Sequence, residues 1–377
     1  MLYTCSPARA GGAMLKAARK TGRGGTRPVT VDIHCHVLTP EADALMQPAF
    51  RPETDALFKF ANAATREVNR QQGQTIRAML TSVETRLADM ESLGIDIQAI
   101  SPAPSQYYYW ADADLTRRAA RRINERIAEI VAGNPDRFVG MGTVPLQAPD
   151  LAVAELEHLV KKLGLRGVEI CTDVAGEELS GERFRPFFAK AEELGILVFM
   201  HPSGYTDGGR LADHYFINVI GNPLASTVAV SHLIFGGVLD AYPRLKMCVA
   251  HGGGFLPAYS GRMDHAHRAR SDCRRLIRKA PTSYLKKLYF DTVVFTDHQL
   301  DYLVRQYGSD HILLGSDYPY DMASPDPVGH VMGTHGLTGA EKAAVLGGNA
   351  ARLLKIRLRK PGNAKPKAKG KSRRRAR

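Results

Sequence analysis

Val31-Asp-Ile-His-Cys-His36 is an apolar run that ends in two histidines one residue apart. Side chains of a strand alternate faces, so His34 and His36 point one way and Cys35 the other. Two imidazoles on one face can hold a divalent metal, although an isolated pair of this kind is more often a surface or capping pair. The choice between these readings turns on whether later strands end in the same way.

Reading outward, residues 29–33 form a short β-branched strand, and a proline-punctuated, irregular stretch runs on to about residue 80. Long excursions after a first strand often carry substrate contacts. Ser82 caps a periodic helix, Val83–Leu93, that Gly94 stops, and Ile97–Ile100 reads as the next strand. The segment Pro102 to Trp110 holds Tyr107, Tyr108, Tyr109 and the only tryptophan. Aromatic side chains in such a loop can line a pocket or pack on a helix, and Tyr107 and Trp110 are candidate substrate contacts. The alternation continues through helix Leu115–Val131, strand Phe138–Val144, helix Leu151–Leu163, strand Arg166–Ile170, helix Glu182–Leu194 and strand Ile196–Met200. Helical pieces from Leu211 to Leu239, strand Leu245–Ala250, helix Leu256–Ile277, strand Leu288–Phe290, helix Gln299–Tyr307 and strand Ile312–Leu314 complete it, before a helix over Thr338–Leu346 and a closing piece over Asn349–Lys355. Eight strands alternating with helices imply a parallel sheet, and that count favours an α/β fold of the (β/α)8 TIM-barrel class over residues 29–355, with an irregular insertion after the first strand. No glycine-rich phosphate fingerprint comes after that strand, which argues against a dinucleotide fold.

Chemistry in such a barrel sits at the C-terminal ends of the strands. Strand one ends in His34 and His36, strand five in His201, strand six in His251 and strand eight in Asp317. Four histidines and a carboxylate would therefore meet at one mouth, which points to a metal centre. Imidazole and carboxylate without thiolate suit Zn2+, with Mn2+ or Fe2+ as alternatives.

Composition bounds the rest. A hydrophobic content of 44% indicates a globular chain, and no uninterrupted apolar run of the length a membrane span needs is present. A cytoplasmic location is the default expectation, with the five scattered cysteines as free thiols. The net charge of +13 is concentrated at the ends: six Lys/Arg lie in residues 1–30 and twelve in residues 355–377, without acids, so that −5 remains for 31–354. Residues 1–28 read as a basic, disordered leader, with Met14 as a possible alternative start, and residues 356–377 as a basic, disordered tail. The tail lacks interleaved aromatics, so it reads as solubilising and nucleic acid is not an expected partner.

The combination of His34-Cys-His36, His201-Pro, His251-Gly-Gly-Gly and Gly315-Ser-Asp-Tyr-Pro resembles the amidohydrolase superfamily, in its decarboxylase branch typified by 2-amino-3-carboxymuconate-6-semialdehyde decarboxylase. Arg137-Phe-Val-Gly-Met-Gly-Thr-Val-Pro-Leu-Gln-Ala-Pro-Asp-Leu-Ala and Arg262-Met-Asp extend the likeness. The resemblance implies that His34, His36, His201 and Asp317 ligate one divalent metal and that His251 is the acid/base beside it. It also implies a homodimer in which Arg262 reaches the neighbouring site, and a small-molecule carboxylate as substrate. Strand four, Arg166-Gly-Val-Glu-Ile-Cys, offers no lysine to bridge a second metal. Two positions depart from the branch: Ser203-Gly204 comes after His201-Pro202 where a tryptophan is usual, and Gln74 stands near the place of its substrate arginine. Arg70 and Arg77 are close to that place, and Arg77 is the candidate. The expected reaction is non-oxidative decarboxylation of an unsaturated or aromatic acid; the alternatives are a hydrolase or hydratase using metal-bound water, or an inactive barrel kept for binding.

Overall fold

The structure, a computed structural model, describes residues 27–357. The expectations for the leader, the tail and Cys5 lie, apart from their innermost residues, outside the described residues.

Strands β1 (Val31–Val37), β2 (Ile97–Pro102), β3 (Phe138–Gly142), β4 (Gly167–Ile170), β7 (Leu197–Met200), β8 (Lys246–Val249), β9 (Tyr289–Asp291) and β10 (Ile312–Leu313) form one eight-stranded sheet in that order. Every neighbouring pair is parallel. The last edge meets the first: Ile33 N donates to Leu314 O at 2.9 Å, His36 N donates to Tyr318 O at 2.9 Å, and Cys35 bridges Tyr318. The result is the TIM barrel that the strand count predicts. A small antiparallel hairpin, β5 (Asp173–Val174) with β6 (Glu177–Glu178), is an addition that two-residue strands leave too short to read from pattern.

Strands covered on both faces are apolar throughout, as Leu197-Val-Phe-Met200 is, because helices pack outside and side chains fill the barrel inside. One buried cluster gathers Val31, Ile33, Ala99, Met141, Leu197, Phe199, Cys248 and Leu313. A larger cluster joins the opposite strand faces, such as Ile100, Val198 and Val249, to helix faces such as Ala119, Ile123, Ile127 and Ile130 of helix Ala113–Gly133. Phe216–Phe235 is long and apolar enough to cross a membrane by length and composition, but it breaks near Gly221 and half of it is buried against the rest of the chain.

Three expectations need correction. The first strand is not residues 29–33 but Val31–Val37, so both histidines lie within it. The insertion after it is largely helical, with Pro40–Met46, Ala56–Lys59 and the 19-residue Ala63–Thr81. That last helix buries only Thr65, Ile76 and Leu80, too few apolar positions to show a period. The helix expected over Leu256–Ile277 is broken into Leu256–Tyr259 and Gly261–Ala269, and the second piece buries no residue.

Candidate metal centre

The site begins with an irregularity in β1. Asp32 pairs with Gln98 and Cys35 with Ile100, so β1 carries one residue more than β2 over this span. Such a bulge changes which face the next side chains take. Ile33 lies with the inner cluster, and His34, the next residue, packs its ring 5.0 Å from Phe199 of that cluster. The bulge thus turns His34 and His36 inward at the mouth. His201 comes directly after β7, His251 after β8 and Asp317 after β10.

All five expected residues meet. His34 Nε2 and His36 Nε2 stand 3.3 and 3.5 Å from Asp317 Oδ1, and His251 Nε2 stands 3.5 Å from its Oδ2. The His201 ring is centred 4.9 Å from both His34 and His36 and 5.0 Å from His251. One donor atom each from His34, His201, His251 and Asp317 fit within 4.8 Å of one another. This set contains His251 where the family resemblance places His36, while His36 shares Asp317 Oδ1 with His34. His34 Nε2, His36 Nε2 and both ring nitrogens of His201 are buried without a hydrogen bond among the described residues. Buried polar atoms left unpaired are costly, and several converging on one carboxylate fit a bound cation.

The electrostatics agree. Burial raises the Asp317 carboxyl, but the His34 charge and the neighbouring imidazoles outweigh it and hold it well below the usual carboxylate range. Burial disfavours a charged His34, yet Asp317 and Asp291 together push that ring up to about 10. Burial, reinforced by the positive fields of His36, His34 and His251, pushes His201 well below the ordinary histidine value, which keeps it in the neutral form that ligates. His251 (φ 55°) and Asp317 (φ 63°) adopt left-handed backbone conformations, rare for residues with a side chain and frequent at functional sites. The glycines after His251 serve packing: a Cβ on Gly252 would lie 2.3 Å from Val294 Cγ1, and one on Gly254 2.3 Å from the Pro223 carbonyl.

Behind the donors stand residues that strand-end reasoning did not single out. His34 Nδ1 donates to Asp291 Oδ2 at 2.6 Å, and His36 Nδ1 to the Pro102 carbonyl at 3.0 Å. Arg86, 2% exposed, donates to the His36 carbonyl, to Met79 O at 3.1 Å and to Gln98 Oε1 at 3.0 Å, with its guanidinium 4.8 Å from the Tyr318 ring centre. Glu169 near the end of β4 accepts from the Tyr107 hydroxyl, and burial raises its carboxyl. Tyr320 sets its ring 5.5 Å from His36. Asp291 ends its strand as the expected donors do and could have been found by the same rule; Arg86 carries no comparable signal.

The proposed substrate contacts divide. Tyr107 is buried with its hydroxyl committed to Glu169, so it supports the mouth from behind. Trp110 and Arg77 line a cavity of about 540 Å³ together with Phe50, Phe58 and Tyr108. The Arg77 guanidinium has no hydrogen bond or ion pair among the described residues, whereas that of Arg70 is held by Glu67 at 2.6 Å. Arg262 is exposed on helix Gly261–Ala269 and also unpaired among the described residues; the nearby Asp264 instead accepts from Thr282 N at 3.0 Å and Oγ1 at 2.7 Å.

The family model described as amidohydrolase matches residues 31–356. The 2-amino-3-carboxymuconate-6-semialdehyde decarboxylase of Dictyostelium discoideum is 32% identical over 272 residues, covering 72% of this chain and 76% of the relative. The crystal structure of 5-carboxyvanillate decarboxylase from Sphingomonas paucimobilis superposes with a TM-score of 0.79 at 26% identity, over 87% of this chain and 99% of that one. A dihydroxybenzoic acid decarboxylase of Polaromonas sp. JS666, solved with bound manganese and 2-nitroresorcinol, shares the fold with a TM-score of 0.75 at 24% identity, over 87% and 97% of the two chains.

Proposed function

The chain belongs to the amidohydrolase family, and from that premise we propose that it is a metal-dependent, non-oxidative decarboxylase of an aromatic or conjugated unsaturated carboxylate. The observation that carries the proposal is the convergence of His34, His36, His201 and His251 on Asp317. His34, His36, His201 and Asp317 would hold one divalent cation, which would supply positive charge to neutralise and orient oxygen atoms of the substrate. Imidazole and carboxylate donors suit zinc, and the manganese in the Polaromonas enzyme makes that ion the competitor.

Loss of carbon dioxide from an sp² carbon would leave an unstable carbanion, so protonation of that carbon must come first. The proton is assigned to His251, an assignment supported by its exposure at the mouth: 13% of its side chain is exposed, against none of His34 or His36. A proton passes from His251 to the carbon that bears the carboxylate. The bond to the carboxylate then breaks, its electron pair restores the conjugated system, and carbon dioxide leaves. Arg262 is proposed to hold the carboxylate across a homodimer as a bidentate fork. Its exposure, together with that of Phe255 and Tyr259 a few residues earlier in the chain, supports an interface there.

A panel of hydroxyaryl acids and muconate semialdehydes tests the reaction. The expected result is release of carbon dioxide, with solvent deuterium at the carbon that carried the carboxylate. A product that retains its carboxylate would instead make the enzyme a hydrolase or hydratase.

A further inference from the structure

Asp291 ends β9 with no exposed surface and four hydrogen bonds. Its Oδ2 accepts from His34 Nδ1 at 2.6 Å and from the backbone amide of His251 at 3.0 Å. Its Oδ1 accepts from the amides of Gly252 at 2.8 Å and Val293 at 3.1 Å. One carboxylate therefore touches both the first donor of the metal centre and the turn that carries the acid/base. We propose that Asp291 is a positioning residue that sets these two at once: it keeps the His34 proton on Nδ1, leaving Nε2 as the ligand atom, and it anchors the left-handed turn at His251. This rests on the metal centre proposed above, not on the identity of the substrate.

The reason lies in what a carboxylate can offer. An ionised carboxylate only accepts hydrogen bonds, so the ring nitrogen facing it must carry the hydrogen. The other nitrogen, Nε2, is then the one that gives up its proton to a cation and ligates it. His251, at φ 55°, holds a left-handed conformation that is costly for a residue with a side chain and persists only where its surroundings determine it. The two amides of His251 and Gly252 on one carboxylate supply that determination. Neither Asp32 nor Glu169, the buried acids behind the mouth, replaces it: Asp32 bonds the His34 amide, Ser316 and Gln98, and Glu169 bonds Tyr107 and stands 3.9 Å from His36 Nδ1, so neither reaches His34 Nδ1.

Asp291→Asn tests this with little change of shape. The amide oxygen can still accept from Gly252 and Val293, but its NH2 group turned to His34 donates to Nδ1 and moves the ring hydrogen to Nε2, where it blocks the metal. Zinc titrated calorimetrically into metal-stripped protein should bind ten- to a hundredfold more weakly than to the parent chain, the usual scale for losing such a partner. Glu155→Gln is the control, because Glu155 is equally buried but bonds Arg121 and Asn124; it should cost stability and leave zinc affinity unchanged. Should Asp291→Asn fail to fold, ring-nitrogen NMR of the zinc-loaded parent chain decides, with a hydrogen on His34 Nδ1 and metal on Nε2 expected. Parental zinc affinity in a folded Asp291→Asn chain, or His34 bound through Nδ1, overturns the role of Asp291. A parent chain that binds no zinc or manganese overturns the metal centre itself, and this inference with it.

Discussion

At the scale of single residues, His251 and Arg86 contribute in opposite ways. His251 is the least buried of the four histidines whose rings meet at the mouth, and its Nδ1 has no hydrogen bond among the described residues. His251→Asn should keep its metal by elemental analysis and lose at least ~10² in turnover, the scale of removing a general acid. Loss of metal in that variant would make His251 a ligand, as the tight set with His34, His201 and Asp317 allows. Arg86 spans the His36 and Met79 carbonyls and Gln98 in a buried position. Lysine cannot reproduce that planar fork. Arg86→Lys should therefore lower stability by roughly 2–4 kcal/mol, the range for stranding buried hydrogen-bond partners of a charge, as read from denaturant unfolding.

At the scale of elements, the site depends on where each strand stops and on the turn or helix that succeeds it. The bulge in β1 lets Ile33 fill the barrel while His34 and His36 turn to the mouth, which a regular strand could not do with consecutive residues. The insertion after β1 forms one side of the aromatic cavity, and its short helix Ala56–Lys59 is capped by Asp55, which accepts from Leu57 N at 2.8 Å. Burial raises the Asp55 carboxyl against the backbone bonds from Leu57 and Phe58. A folded-state pKa above the unfolded value of about 4 means that the stability contributed by Asp55 is full below that value and is lost as the pH rises through the folded one. Asp55→Asn keeps the cap without the charge. It should raise the melting temperature at pH 8 and leave it unchanged near pH 4; an equal effect at both would remove ionisation as the cause.

At the scale of the whole molecule, the barrel gathers one mouth from its strand ends and leaves Arg262 outside it. In the proposed homodimer each mouth takes Arg262 from its neighbour; Arg262, Phe255 and Tyr259 are exposed. Sedimentation should give a dimer. Arg262→Ala should weaken substrate binding with metal content intact, and mixing it with His251→Asn chains should restore activity. A mixed dimer contains one mouth with both residues present, whereas neither parent dimer does. No recovery after subunit exchange, or full activity in a monomer, would exclude the shared site.

The sequence by itself determined the barrel and which side chains its strand ends carry to the mouth. Alternating β and α periods require a parallel sheet, and parallel strands deliver all their C-terminal residues to one end, so His34, His36, His201, His251 and Asp317 could be collected by reading off the residues that end each run. Tertiary structure alone decided the facing of those donors and their support. The β1 bulge appears only against the register of β2, and the helices of the insertion bury too little apolar surface to print a period. Arg86 reads as one more polar residue on a helix until its guanidinium is seen beneath β1. Asp291 lies 257 residues from the ring it orients, and no local pattern carries a hydrogen bond across that separation; only closing the barrel brings its carboxylate to His34 and to the turn at His251.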